Sequence, residues 1–173
     1  MGKARIVALS GTLLLSACAG ESAAPPARPV TILPSAAMAL APAIYLQLAS
    51  AASLFAIRAS ELAQSQARSG GLRSAASAVA RDQEGVASQL SFAGRRLDML
   101  PSAVLPPAMA ADLQRLHASP DFDSDYRRLV GAALARSLEA HEVFARAGAS
   151  PTLRPVAVMA APVTRRDLAA IRR

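Results

Sequence analysis

The side chains that could carry chemistry are few in this sequence, and its single cysteine, Cys18, is the first of them. A lone thiol can be a nucleophile, a metal ligand, a disulfide partner or a point of covalent attachment. The sequence contains no second cysteine, so an intramolecular disulfide is excluded. Cys18 follows an apolar stretch, and that position helps to choose among the remaining roles.

The first 17 residues have the layout of a secretory signal. Lys3 and Arg5 form a short basic region. The apolar region that follows, residues 6–15, is about ten residues long, which is too short to span a bilayer. We therefore expect a signal peptide at 1–17 and an exported protein.

The end of this segment, LSAC at 15–18, resembles the signal box of bacterial lipoproteins. The resemblance implies that the signal is cut before Cys18, that a diacylglyceryl group joins its thiol, and that its new amino group is acylated. Two or three acyl chains anchor a protein stably, whereas one holds only marginally. By the same resemblance, Ala19 favours the outer membrane, with the body facing the periplasm. An ordinary cleavage site beside an incidental cysteine is the alternative, and it also predicts export.

Two polar residues, Gln83 and His141, fall on apolar helical stripes. A lone histidine on such a stripe is more often a hydrogen-bonded core residue than a catalyst or ligand, and we interpret His141 in that way. The Gln83 amide needs partners or water, because an unpaired buried polar group costs about 1 to 3 kcal/mol. We expect Gln83 to fix the register of the helices.

The remaining acids and His117 form no catalytic or metal-binding pattern. Glu61 and Asp82 could act as a general acid and base only if a pocket brought them together. Each has an arginine nearby, which indicates a solvated helix face, and His117 is expected to be exposed. FDSDY at 122–126 lacks the glycine and distal glutamate of a calcium loop, and its aspartates suit a first helical turn. We expect no enzyme activity and no cofactor.

The net charge of +7 falls to +5 when Lys3 and Arg5 leave with the signal. Nearly all other basic residues are arginines, which with abundant alanine indicates a GC-rich genome, so composition is a poor guide to partners. The arginines are scattered and stacking aromatics are rare, so nucleic acid is not an expected partner. Anionic lipid, acidic polysaccharide or another envelope protein is considered, against a simply solvated surface. The oligomeric state is left open.

The elements that must position these residues are helical. Prolines among Ala and Ser over 18–42 predict an extended, disordered linker between anchor and body. Helix formers dominate from 43 to 173. Apolar stripes with steps of three and four residues mark three long helices, one of which runs from Leu72 through Gln83 to Leu97 and Leu100. The first stripe contains Tyr45, Leu48, Ala52, Phe55, Ala59 and Leu62. A helical segment at 152–173 completes an all-α, up-down four-helix bundle.

Turn and cap residues divide this body. Ser69, Gly70 and Gly71 predict the turn between the first two helices. Residues 108–118 predict a short crossover helix. Ser-Pro pairs at 119–120 and 150–151 predict a serine N-cap followed by proline at the first helical position. Gly148 is expected to end the third long helix, and Pro162 is expected to kink the last one.

Five short stretches of the body, in their order and spacing, carry a family resemblance. They are YLQLASAASLFAI from 45, SELA from 60, ARD at 80–82, FDSDY at 122–126 and APVTRRDL at 161–168. Together they resemble a ferritin-like family of exported bacterial proteins, domain-of-unknown-function family 4142, described as predicted outer membrane proteins. The resemblance implies a ferritin-like bundle in the bacterial envelope, with no established common activity.

The departures from that family concern metal binding. Ferritin-like bundles that hold metals direct several Glu and His side chains inward from facing helices. Where the resemblance implies such residues, this chain has Ala56, Gln83, Leu134 and Asp167. Glu61, Asp82, Asp167 and His141 remain, without a ligand spacing, so we expect no metal centre.

Three functional hypotheses follow. The first is an envelope lipoprotein whose non-enzymatic body is a structural, stress-related or interaction module. The rival is a metal-binding or oxidative-stress ferritin-like protein. The third is an enzyme with an unrecognised site, which would require a deep polar pocket joining His141 to Glu61 or Asp82.

Overall fold

The computed structural model describes residues 40–173. The predicted signal, Cys18 and most of the linker lie outside the described residues. The described part consists of five helices without a strand. They are α1 (Pro42–Gln66), α2 (Gly70–Arg95), α3 (Pro107–His117), α4 (Phe122–Ala147) and α5 (Arg154–Ile171). The predicted all-α class is confirmed.

The four long helices form a bundle in which α1 and α5 each pack between α2 and α4. Tyr45 near the start of α1 contacts His141 near the end of α4, and Ser60 contacts Tyr126 at the other end. α1 and α4 are therefore antiparallel. The connection from α2 to α4 contains α3, which packs on α1 and α4 and supplies the predicted crossover helix.

α1 is buried more widely than its predicted stripe, because its many Ala and Ser residues let two neighbours approach closely. Its buried residues are Tyr45, Leu46, Ala49, Ser50, Ala52, Ser53, Phe55, Ala56, Ala59, Ser60 and Ala63. Leu48 was predicted on the buried stripe and is 36% exposed, so that prediction was wrong. α1 is long and apolar enough to cross a membrane, but 56% of the relevant window is buried in the bundle, as in the core helix of a folded domain.

The turn between α1 and α2 is shorter than predicted. α2 begins at Gly70, so Gly70 and Gly71 belong to its first turn rather than to the connection. Ser69 is the N-cap, and its hydroxyl oxygen accepts the N–H of Leu72 at 3.2 Å. The serine cap satisfies a free N–H of the first turn, so the helix can begin at the first of the two glycines.

α2 ends earlier than its hydrophobic pattern predicted. The carbonyl of Gly94 accepts the N–H of Met99, Asp98 donates to the Arg95 carbonyl, and Asp98 has a φ of 54°. This is the Schellman arrangement, which stops a helix through a left-handed residue. A Cβ at position 94 would lie 2.2 Å from the Met99 carbonyl oxygen, so glycine is needed there. Leu100 lies beyond the helix and is 66% exposed.

The starts of α4 and α5 also differ from the prediction. α4 begins at Phe122, and Ser119 accepts the N–H of Asp121 and donates to Asp125 instead of capping a first-position proline. Ser150 accepts the N–H of Leu153, but this bond closes a turn over 151–153. α5 begins at Arg154 with Leu153 as its N-cap, so Pro151 is not at the first helical position. Gly148 follows α4 as predicted. α5 continues through Pro162.

The core consists of two apolar clusters with a polar layer between them. One cluster contains Phe55, Val79, Leu134 and Leu168, and the other contains Ala49, Val86, Phe144 and Ala160. We call the residues between them the mid-bundle polar layer. Its buried members are Ser53 of α1, Gln83 of α2, Ser137 of α4, and Thr164 and Asp167 of α5. Every long helix therefore contributes at least one polar side chain at this level.

Candidate functional site

A chain of hydrogen bonds crosses three helices in the mid-bundle polar layer. The Ser53 hydroxyl donates to the Gln83 side-chain oxygen at 2.9 Å, and the Gln83 amide nitrogen donates to an Asp167 carboxylate oxygen at 2.8 Å. Ser53 and Gln83 are fully buried and Asp167 is 2% exposed. Gln83 thus links α1 to α5, and its role in helix register stays a prediction.

An exposed ion pair lies beside this buried chain. Arg166 donates to a carboxylate oxygen of Asp82 at 2.7 Å. Each member of the pair is next in sequence to a member of the buried bond between Gln83 and Asp167. α2 and α5 are therefore joined by one internal and one external polar contact at the same level.

The electrostatics of Asp167 differ from those of a surface carboxylate. Burial raises the pKa of Asp167 to about 7, because removal from water disfavours the charged form. The donor from Gln83 lowers this pKa, the neighbouring Asp82 raises it, and the Arg166 guanidinium lowers it. Asp167 can therefore hold or release one proton near neutral pH. The groove between α2 and α5 is lined by Asp82 but not by Asp167.

His141 forms a second buried cluster nearer the start of α1. One ring nitrogen, Nδ1, lies 3.0 Å from the Tyr45 hydroxyl, and the other, Nε2, lies 3.1 Å from the Ser137 hydroxyl. Burial lowers the pKa of His141 to about 4, so the ring is neutral at pH 7, with one nitrogen donating and the other accepting. A metal could bind this ring only by displacing Tyr45 or Ser137.

The aromatic surroundings hold Tyr45 in place. Its ring stacks on Phe144 with centroids 4.1 Å apart, and meets the His141 ring edge-on at 5.7 Å. Burial raises the pKa of the Tyr45 hydroxyl, which stays protonated. The arrangement fixes the imidazole in a closed, uncharged environment.

Two polar contacts were not foreseen from the sequence. Ser60 and Tyr126 share a buried hydrogen bond of 2.7 Å, and burial raises the pKa of Tyr126 to about 12. The carboxylate of Asp123 accepts the backbone N–H groups of Arg68 and Ser69, each at 2.9 Å. Despite some desolvation, these bonds lower the pKa of Asp123. Asp123 therefore fastens the start of α4 to the α1–α2 turn, and no sequence signal marked that long-range role.

A comparison with known families covers most of the chain. The family described as Domain of unknown function (DUF4142) matches residues 29–173, which include all five helices. The chain belongs to the DUF4142 family. No curated protein and no solved structure matches it. Membership confirms the resemblance carried by the five sequence stretches, and the ferritin-like relationship remains a prediction.

The four positions where a metal-binding relative would need ligands do not suit a two-metal centre in this DUF4142 protein. The structure brings two of them together, as the bond between Gln83 and Asp167 shows. The other two, Ala56 and Leu134, are fully buried apolar residues. Residues 40–173 contain no group of three or more His, Cys, Asp and Glu side chains able to share an ion. A single carboxylate already bonded to an amide does not fit two cations.

The other candidate residues are placed on separate surfaces of the DUF4142 body. Glu61 lines a groove formed by the last turns of α1 and α3, whereas Asp82 lines one between α2 and α5, so the two are not brought together. His117 is exposed and pairs with the Gln66 amide at 2.8 Å. Neither described groove contains His141.

Proposed function

We propose that this DUF4142 protein is a lipid-anchored protein of the bacterial envelope, with a non-enzymatic helical body that acts as a structural, stress-related or interaction module. The observation that carries the proposal is LSAC at 15–18, placed at the end of a basic and then apolar N-terminal segment. Acylation of Cys18 explains why the single cysteine lies directly after the signal segment. The acyl anchor then lies in the outer membrane. The linker separates it from the bundle, which faces the periplasm.

The polar chemistry of the body supports the non-enzymatic part of the proposal. Gln83, Asp167 and His141 use their polar atoms on one another or on neighbouring hydroxyl groups. The candidate acids Glu61 and Asp82 line different grooves. Bonds of this kind specify how four alanine-rich helices pack, which is a structural use of buried polar groups.

Acyl labelling tests the anchor. In a bacterial host, the unchanged protein should incorporate labelled fatty acid and fractionate with membranes, whereas Cys18→Ala should do neither. Ser22→Ala, which lies after the signal box, is the matched control and should behave as the unchanged protein. Continued labelling and membrane retention of Cys18→Ala would overturn the assignment.

Metal analysis separates the proposal from the metal-binding, oxidative-stress alternative. The protein purified without a tag should contain far less than one equivalent of iron, manganese or zinc. A stoichiometric amount that is lost in Asp167→Asn would instead place a metal at the mid-bundle polar layer and support the alternative.

A further inference from the structure

An open apolar groove runs along the outer side of α1, where the described chain begins. It is formed by the first turns of α1, the segment between α2 and α3, the start of α3, and one side of α4, and we call it the α1–α3 groove. Its volume is about 560 Å³, in the range of pockets that bury one small molecule. Ile44, Leu48, Val104 and Met109 are among its aliphatic lining residues.

The exposure of these aliphatic residues needs an explanation. Ile44 is 56% exposed, Leu48 is 36% exposed and Val104 is 73% exposed, all around one concave surface. Single exposed aliphatic residues are common on proteins, but a contiguous concave set marks a binding surface. The exposure of Leu48, which its helical spacing did not predict, results from its position in this groove.

The two uncharged polar lining residues, Gln47 and Ser102, already have partners within the protein. The Gln47 amide nitrogen donates to the Leu100 carbonyl at 3.2 Å, and its oxygen accepts the Ser102 N–H at 3.4 Å. The Ser102 hydroxyl donates to the carbonyl of Val104 and accepts its N–H, each at 3.0 Å. These bonds tie the segment after α2 to α1 and form the wall of the groove, leaving its aliphatic surface for a ligand.

Arg136 of α4 is the one charged residue that lines the groove. It is exposed, and it makes no hydrogen bond or ion pair with any residue that the structure describes. By contrast, Arg165 and Arg166 of α5 each pair with a carboxylate. An unpaired guanidinium beside an aliphatic surface is complementary to a molecule that has one anionic group and a long apolar part.

We propose that the α1–α3 groove binds a single long-chain fatty acid. The alkyl chain lies against Ile44, Leu48 and Val104, and the carboxylate pairs with Arg136. The volume suits one chain, and the single cation suits one carboxylate. This binding activity belongs to the helical body and does not depend on acylation of Cys18.

Titration of the purified full chain with palmitate tests the proposal. The chain carries Cys18→Ala, so that no attached acyl group competes, and all solutions are free of detergent and below the concentration at which palmitate forms micelles. Displacement of a fluorescent fatty acid should show saturable binding of one molecule per chain. Leu48→Asp should weaken binding about tenfold, because it places a charge on the aliphatic surface. Val104→Asp, in the segment after α2, should have the same effect and provides a second variant if the first misfolds.

The headgroup contact has its own comparison. Arg136→Gln should weaken palmitate binding about fivefold and leave the binding of hexadecanol, which has no charge, unchanged. Arg146→Gln on the same helix and Phe92→Asp on α2 are exposed substitutions away from the groove. Both variants should bind palmitate as tightly as the unchanged protein does.

Three outcomes would overturn the proposal. They are absence of saturable palmitate binding, equal weakening by the groove and control variants, and binding to phospholipid vesicles without binding to free palmitate. The acyl-labelling result for Cys18 is independent of all three, so failure here leaves the anchor proposal intact.

Discussion

The two buried titratable clusters of this bundle are both built from helix-to-helix hydrogen bonds, but they differ in their access to charge. His141 meets only neutral hydroxyl groups, from Tyr45 and Ser137. Asp167 hydrogen-bonds to Gln83 and also interacts electrostatically with Asp82 and Arg166 at the surface. Burial disfavours the charged form of both groups, which lowers the pKa of the base and raises that of the acid. The comparison shows that one physical cause can give opposite responses to pH.

The signs follow from proton linkage. The pKa of His141 is lowered from its ordinary 6.5 to about 4, so its stabilising contribution is present above pH 6.5 and is lost as the pH falls toward 4. The pKa of Asp167 is raised from 3.8 to about 7, so its contribution is present below pH 3.8 and is lost as the pH rises through 7. Between about pH 4 and 7 the two contributions oppose each other in the unchanged protein.

The largest predicted effect comes from removing one side of this balance. Asp167→Asn keeps an acceptor for Gln83 but cannot ionise, so His141 alone should govern the response. The free energy of unfolding should then fall by about 3 kcal/mol between pH 6.5 and 4. Denaturant unfolding at a series of pH values measures this.

The matched control and the reciprocal variant sharpen that result. Glu84→Gln removes an exposed carboxylate and should keep the shallow pH profile of the unchanged protein. His141→Gln should reverse the trend, with stability rising as the pH falls from 7 to 4. If Asp167→Asn had the same profile as the unchanged protein, Asp167 would not be protonated in the folded state.

A second prediction concerns the amide that completes the Asp167 cluster. Gln83→Leu leaves Ser53 and Asp167 without their partner, and should lower the free energy of unfolding by about 2 kcal/mol. The loss should be larger at pH 8 than at pH 5, because a buried carboxylate needs the donor more than a protonated carboxyl does. Gln89→Leu, an exposed change on the same helix, should have little effect. Equal losses at the two pH values would show that the bond from Gln83 does not depend on the ionisation of Asp167.

A smaller effect is expected at the edge of the His141 cluster. Tyr45→Phe removes the hydroxyl bonded to the imidazole and keeps the ring stacked on Phe144. It should lower stability by about 1 kcal/mol at pH 7, measured by denaturant unfolding. Ser69→Ala removes the cap bond to Leu72 at the α1–α2 turn, the end of α1 opposite Tyr45, so its loss should not vary between pH 5 and 7. A loss that varies equally with pH in both variants would contradict the link to His141.

The smallest effect is expected at Thr164, another buried member of the mid-bundle polar layer. The Thr164 hydroxyl is buried without a hydrogen-bond partner among the described residues. Thr164→Val replaces the hydroxyl with a methyl group of similar shape. It should stabilise the protein by about 1 kcal/mol or less, seen as a higher thermal midpoint. Thr152→Val outside the core is the matched change and should leave the midpoint unchanged. A lower midpoint for Thr164→Val would show that its hydroxyl has a partner, such as a buried water.

Much of the helical layout was predictable because hydrophobic periodicity and cap residues are local features. The stripe from Leu72 to Ala93 follows directly from spacing, and the crossover helix from the proline breaks around it. The prediction extended α2 to Leu100 because periodicity does not register the Schellman turn at Gly94 and Asp98. The interpretation of Gln83 as a residue needing buried partners came from its place on that stripe, but spacing on one helix does not name a partner on another.

The sequence by itself determined the helical class, the family, and the N-terminal pattern on which the anchor proposal rests, since each can be read from residue types and their order along the chain. Only the tertiary structure decided that Gln83 meets Asp167, that Asp123 holds the α1–α2 turn, and that Leu48 lines a groove. Those contacts join residues far apart in sequence. They depend on the rotation and register of four packed helices, and these are set by the fit of all the side chains together.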